Sequence, residues 1–292
     1  MFPNFEQRAI DVDGIRINFV QGGSGPALLL LHGHPQTHAI WHKVAAELAA
    51  HFTVVAADLR GYGDSDKPAG LPDHSNYAKR AMAQDQLGLM RRLGFERFAV
   101  MAHDRGARVA YRMALDHPAS VSKLVTLDIA PTLAMYEKTT MEFAIAYYHW
   151  FFLIRPAPFP ETLINSHPAD YLKHTIGGRS AGLAPFTPQA YAEYLRCLQD
   201  PATVHGICED YRASAGIDLD HERADLAAGR KIACPMLAMW GAHGAVGKCF
   251  DPLAEWQQLA HDVRGLALDC GHYIPEEAPD QLLAQALPFL LS

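Results

Sequence analysis

His103-Asp104-Arg105-Gly106 stands between an apolar run, Phe98-Ala99-Val100-Met101, and a helix-like stretch from Ala107 to Leu115. A strand, a tight turn with small residues two before its centre (Ala102) and two after it (Gly106), then a helix: this is the pattern of a nucleophile elbow, which presents a reactive side chain above a sheet. The usual central residue is Ser. Asp104 changes the chemistry. A carboxylate attacks sp3 carbon, displaces a leaving group and becomes an ester that water must then cleave. An ordinary turn aspartate would need neither the small flanking residues nor the partners found downstream.

The base that activates that water is expected after the last strand, and His272 closes Asp269-Cys270-Gly271-His272 there. A chain with 16 histidines has many surface ones. His272 is singled out by the chain order nucleophile, acid, histidine. Its neutral imidazole would take a proton from water. One position for the acid partner is the loop after Met236 to Trp240, but Gly241-Ala242-His243-Gly244-Ala245-Val246-Gly247 holds no carboxylate. That leaves Asp128, which closes the apolar run Leu124 to Leu127, to orient His272 and stabilise its imidazolium. The competing role for Asp128 is a simple turn cap.

His32-Gly33-His34-Pro35 is expected to form an oxyanion loop, with the backbone N–H groups of His34 and Arg105 facing the oxygen that becomes negative. Arg105 and Arg108 lie one and four residues past the nucleophile. Cations at a helix N-terminus oppose the helix dipole, so the pair calls for a reason. Guanidinium forks suit a carboxylate; the alternatives are a solvated surface pair or a salt bridge to a carboxylate of the helical cap. His149, Trp150 and Tyr211 carry N–H or O–H donors that can receive a departing anion without being charged. Their simpler role is packing.

These residues need a scaffold. Residues 9–20 alternate around the turn dipeptide Asp13-Gly14 and read as an edge hairpin. Ala27–Leu31, Thr53–Ala57, 98–101 (running into the elbow, to 106), 124–127, 236–240 and 265–268 read as buried strands. Helical patterns follow His34-Pro35, span 77–93, and close the chain from about 279. Strands alternating with helices imply an α/β class with a mostly parallel sheet covered on both faces. Ligand sites in such sheets lie off the carboxyl ends of the strands, where His32 to Gln36, Asp104-Arg105, Asp128, the loop after Trp240 and Gly271-His272 stand. Between 132 and 226 the strand pattern stops, and aromatic-rich helical stretches such as 142–152 and 188–198 take over, broken by Pro156-Ala157-Pro158-Phe159-Pro160. The expected organisation is a core (1–131), an inserted helical cap (132–226) and a returning core (227–292).

Composition narrows the partners. A net charge of -7 with no Lys/Arg run offers no nucleic-acid surface. Five cysteines without C-x-x-C spacing read as reduced thiols rather than a disulfide frame or zinc site. With no apolar signal segment at the start and no membrane-length run, the expected location is cytoplasmic, with no membrane partner.

Together, His103-Asp104-Arg105-Gly106-Ala107-Arg108, Leu127-Asp128-Ile129, Tyr148-His149-Trp150, Asp210-Tyr211-Arg212-Ala213 and Gly271-His272 resemble the fluoroacetate (haloacetate) dehalogenases of the α/β-hydrolase superfamily, over nearly the whole chain. The resemblance implies an α/β-hydrolase fold. It implies that Asp104 attacks the α-carbon of a 2-haloacid, Arg105 and Arg108 bind its carboxylate, and His149, Trp150 and Tyr211 hold the halide. His272, oriented by Asp128, would then activate the water. It further implies a 2-hydroxy acid product, no metal or organic cofactor, and a homodimer. His34 departs from the apolar aromatic expected in the oxyanion loop, and Ala107 from a frequent Gly.

An epoxide hydrolase shares the Asp nucleophile, the His base and the His-Gly-x-Pro loop, and would use Tyr211 with Tyr147 or Tyr148 to protonate the epoxide. It does not call for Arg105 and Arg108. A haloalkane dehalogenase would carry Trp after the nucleophile. A non-enzymatic receptor would need no base.

Overall fold

The computed structural model describes residues 1–292. Eight strands form one sheet: β1 (Glu6–Val12), β2 (Ile15–Gly22), β3 (Ala27–Leu31), β4 (Thr53–Ala57), β5 (Phe98–His103), β6 (Val121–Leu127), β7 (Met236–Gly241) and β8 (Val263–Leu268). Their order is β1-β2-β4-β3-β5-β6-β7-β8. β1 and β2 form the antiparallel hairpin turning at Asp13-Gly14, and β2 pairs antiparallel with β4. All remaining pairs are parallel. The fold is that of an α/β hydrolase, as the chemistry-bearing residues implied.

The central strands are apolar on both faces because helices cover both. Successive side chains point to opposite sides of a strand. Leu29, Leu31, Val55 and Val100 therefore enter one hydrophobic cluster, and Leu28, Leu30, Val54 and Met101 another. The first cluster does not stop at the core. It continues through Phe143, Tyr147, Trp150, Tyr194 and Tyr211, so the helices between β6 and β7 are packed onto the sheet's carboxyl end by shared apolar burial.

That stretch contains helices from Thr132–Glu137 to Ile217–Ala227 and no strand. Two local readings shift. The helix expected after Pro35 is a 3-10 turn (His38–Lys43) followed by a short α-helix (Ala45–Ala49); Trp41, Val44, Ala45 and Leu48 are all buried, as their spacing predicts. β6 begins three residues earlier than the apolar run: Val121 and the polar Lys123 pair with β5, with Ser122 at an irregularity in the ladder between them. Lys123 turns its ammonium to the carbonyls of Phe289 and Leu290 at the end of the last helix. No helix is long and apolar enough to cross a membrane.

Candidate active site

Asp104 opens the helix Asp104–Asp116 directly after β5, with φ at 47°. A non-glycine residue in the left-handed region is strained, and such strain gathers at functional sites. The turn closes only around small neighbours. A Cβ on Gly106 would come within 2.4 Å of the His32 carbonyl oxygen, and one on Gly33 within 2.3 Å of the Asp104 Cβ. Gly106 N–H instead donates to His32 O at 2.8 Å, tying the elbow to the oxyanion loop.

One oxygen of Asp104 is held and the other is free. The His34 N–H donates to Oδ1 at 2.9 Å, while Oδ2 is buried without a partner. Opposite it, His272 Nε2 is also buried without a partner, 3.8 Å from Oδ2. On its other side the His272 ring meets Asp128: Nδ1 lies 2.5 Å from Oδ2. Asp128 also has positive φ, 52°, and accepts the Gly241 N–H on Oδ1 at 2.9 Å. It thus spans from the end of β6 to the end of β7 and serves the loop that lacks a carboxylate of its own.

The main chain of His272 is fixed as well. Its N–H donates to Arg179 O at 2.9 Å, and its carbonyl accepts from His103 Nε2 at 2.9 Å. Burial and the neighbouring His272 ring push His103 down to about 3, so it is a neutral donor. His32 is used structurally too, accepting the Leu59 N–H on Nε2 at 3.1 Å.

Electrostatics assign the roles. Burial would raise the Asp104 carboxyl, but its surroundings hold it well below the usual carboxylate range, and with His272 and His103 neutral the lasting influence is the charge of Arg179 and Arg105. It stands ionised and ready to attack. Burial, reinforced by Arg179, lowers His272 below its ordinary value, keeping the imidazole neutral as a base must be.

The two arginines, expected to act together, are separated by the structure. Arg105 donates from Nε to Asp210 Oδ2 at 2.9 Å and from Nη2 to Oδ1 at 2.8 Å, with Ser214 Oγ at 2.5 Å. Only Nη1 lacks a partner. The salt bridge to a carboxylate of the helical cap, an alternative for both arginines, is realised in Arg105 alone. Lys79 and Tyr62 also converge on Asp210, so the Arg105 charge is neutralised inside a buried network. Arg108 is different. It is fully buried, its Nη1 donates to Thr132 Oγ1 (2.8 Å) and Ala130 O (3.2 Å), and its Nε has no partner. No carboxylate lies within salt-bridge distance of it.

The three anticipated donors gather opposite Asp104's elements. The rings of His149 and Trp150 pack edge-on against Tyr211 at 5.8 and 6.4 Å. Trp150 Nε1 and the Tyr211 hydroxyl are both buried without partners. Arg108 lies over the Trp150 ring at 4.6 Å, and Arg105 over Tyr211 at 4.0 Å. His34 stacks on His149 at 6.0 Å and meets Tyr171 Oη through Nε2 at 3.1 Å. Its ring is kept neutral, since burial and Arg179 push it well below the ordinary value.

Sequence reasoning missed Arg179 as a site residue. It follows Ile176-Gly177-Gly178, where no periodicity aims it anywhere. Its Nη2 donates to His34 O (3.2 Å) and Tyr273 Oη (2.5 Å), and its Nη1 lies 3.4 Å from His149 Nε2. Tyr147, weighed before only as an epoxide donor, places its hydroxyl 3.2 Å from His272 Nδ1. A cavity of about 650 Å³ lies beside His272, lined among others by Tyr147, Arg179, His243, Lys248 and Asp269; Asp104 and Arg108 are not in its wall. The five cysteines form no disulfide, and no cluster of potential ligands is spaced for a metal ion.

The profile of the alpha/beta hydrolase fold family matches residues 26–279. A fluoroacetate dehalogenase from Burkholderia sp is 48% identical over 96% of this chain and 92% of that protein. A soluble epoxide hydrolase from Corynebacterium sp. (strain C12) is 34% identical over 95% of this chain and 94% of that protein. The crystal structure of ALR0039 from Nostoc sp PCC 7120 superposes with a TM-score of 0.97 at 55% identity, covering 100% of this chain and 99% of that one.

Proposed function

Because this chain belongs to the α/β-hydrolase family, we propose that its buried site is that of a hydrolytic dehalogenase, taking a small 2-haloacid such as fluoroacetate or chloroacetate to the 2-hydroxy acid and halide. Asp104 Oδ2 attacks the α-carbon. The new C–O bond forms as the carbon–halogen bond breaks, and the halide leaves with the bonding electron pair toward Trp150, Tyr211 and His149. Water between the ester and His272 then gives its proton to Nε2 and attacks the ester carbonyl. That carbonyl is the carbon bearing Oδ1, whose oxygen the His34 N–H holds and whose growing charge it stabilises. Proton return releases glycolate and restores Asp104.

The observation that carries this reading is the state of Arg108. A guanidinium buried away from water and facing no carboxylate is costly unless something anionic completes it. A substrate carboxylate does so. Arg105 contributes only the free N–H donors of Nη1, and otherwise orients the wall through Asp210. The 48% identity to a fluoroacetate dehalogenase supports the same class of reaction.

The epoxide reading asks for two free cap hydroxyls. Tyr211 qualifies, but Tyr147 is directed at His272 Nδ1 and Tyr148 is 38% exposed. The deciding experiment is a halide-release panel with fluoro-, chloro- and bromoacetate beside styrene oxide. Halide release without diol formation is expected. Diol formation without halide release would overturn the proposal.

A further inference from the structure

The preceding reading leaves one strong cation without a task. Three guanidiniums converge on the site, and their counter-ions differ. Arg105 is neutralised by Asp210 at 2.8 Å. Arg108 and Arg179 have no carboxylate within salt-bridge distance. Two anions must be accommodated when Asp104 becomes an ester: the substrate carboxylate and the departing halide. Arg108 answers the first. Arg179 sits elsewhere, against His149 rather than Trp150. Of the two unpaired cations, Arg108 thus lies over Trp150 and Arg179 beside the adjacent His149.

We propose that Arg179 is a positioning residue for the leaving group: it sets the tautomer of His149 and places a positive charge behind that ring, favouring departure of the smallest halide, fluoride. The proposal rests on the dehalogenase reading of the site.

The tautomer follows from donor inventory. A guanidinium carries only N–H donors and no acceptor. Arg179 Nη1, at 3.4 Å from His149 Nε2, therefore requires a lone pair on Nε2. Neutral His149 then carries its hydrogen on Nδ1, the one ring N–H it has to offer an anion. Arg179 is itself held firmly. Its Nε donates to Thr175 O (3.1 Å), Nη2 to His34 O and Tyr273 Oη, and its guanidinium lies over the Tyr273 ring at 5.1 Å. A preorganised charge needs little rearrangement when the halide departs.

The selectivity follows from Coulomb's law. Charge concentrated on a small ion interacts more strongly with a nearby cation and its N–H donors than the same charge spread over bromide. Fluoride is also the poorest leaving group of the series, so its departure depends most on stabilisation by the protein. Removing Arg179 should cost fluoroacetate turnover more than bromoacetate turnover.

Loss of Arg179 could also loosen the loops it ties together, but loosening would slow all substrates alike. The test therefore reads a ratio. For wild type, Arg179→Met and Arg179→Lys, halide release is measured with fluoro-, chloro- and bromoacetate. Arg179→Met should lower the fluoroacetate-to-bromoacetate ratio of kcat/KM, which reports the halide-releasing step, by about tenfold, as expected for loss of one charge-assisted contact. Arg179→Lys, which keeps the charge, should recover most of it. Product inhibition by added chloride should weaken in Arg179→Met and return in Arg179→Lys. An unchanged ratio with unchanged chloride inhibition, in an active Arg179→Met protein, overturns this role alone. If Arg179→Met fails to fold, Arg179→Gln is read in the same way. Wild-type protein that releases no halide from any of the three acids overturns the dehalogenase reading and this role with it.

Discussion

The two walls of the site are built on opposite principles. On the sheet side, Asp104, Asp128 and His272 stand at the ends of β5, β6 and the loop after β8, and each is pinned by neighbouring backbone or side-chain groups. Asp104 Oδ1 is held by His34 N–H, Asp128 Oδ1 by Gly241 N–H, and the main chain of His272 by Arg179 O and His103. Only Asp104 Oδ2 and His272 Nε2 are left open, and they face each other. On the helical side the donors themselves are left open: Trp150 Nε1 and Tyr211 Oη lack partners, as does the Nε of Arg108, which reaches toward them from the helix that Asp104 opens. A buried, unsatisfied polar group costs about 1–3 kcal/mol. One wall is satisfied except where it reacts; the other is unsatisfied until an anion arrives. The lesson is that open atoms on pinned residues mark chemistry here, and orphaned donors mark binding.

Substitutions on the two walls should therefore behave differently. Asp104→Asn should abolish halide release altogether, because a neutral amide cannot displace halide; residual multiple turnover would break the assignment. Asp128→Asn should slow ester hydrolysis by about 10³–10⁴-fold, as loss of an orienting carboxylate does in other triads, and single-turnover kinetics should show the ester step affected more than halide release. Among the binding donors, Arg108→Leu should lower kcat/KM by about a hundredfold, mainly through KM, since it removes a charge-assisted contact of about 2–3 kcal/mol. It should also erase the preference for haloacids over their amides, and assays of both substrates decide this.

Tyr211→Phe sharpens the contrast further. It removes an unpartnered hydroxyl but keeps the ring on which Arg105 rests. Activity should fall by about tenfold while Tm stays level or rises. A fall in Tm of several degrees would mean that the hydroxyl is satisfied in the resting protein.

The smallest effect concerns pH. The base form of His272 is lost as pH falls through its pKa, and burial has lowered that pKa from 6.5. The acid limb of kcat should lie below the ordinary histidine range. Esterification removes the Asp104 charge, one of the influences that raise His272, so the limb belongs lower still when hydrolysis limits the rate. A limb near 6.5 would indicate that His272 is more hydrated than its burial implies.

The sheet-side wall was legible in the sequence because strand ends are local features. An apolar run followed by a small-residue turn locates Asp104, and the lack of any carboxylate between Gly241 and Gly247 leads to Asp128 by elimination. The opposite wall was legible in its aromatic donors only through family resemblance. Its charges were not, since ion pairs between residues far apart in the chain leave no mark in spacing. Asp210, 105 residues from Arg105, takes that guanidinium and leaves Arg108 free. Nothing around Gly177-Gly178-Arg179 signals that docking of the helices brings this arginine to His149. Even within the core, β6 was read short because Lys123 is polar, although it pairs in the ladder and uses its ammonium on the last helix.

The central claim is that the pinned wall reacts covalently, with Asp104 as the nucleophile and His272 needed only for the second step. His272→Asn incubated with chloroacetate and examined by peptide mass spectrometry tests it most directly. The account predicts one equivalent of chloride released per protein and a carboxymethyl ester on the peptide bearing Asp104. Chloride released with no adduct on that peptide, or continued turnover in this variant, would contradict it.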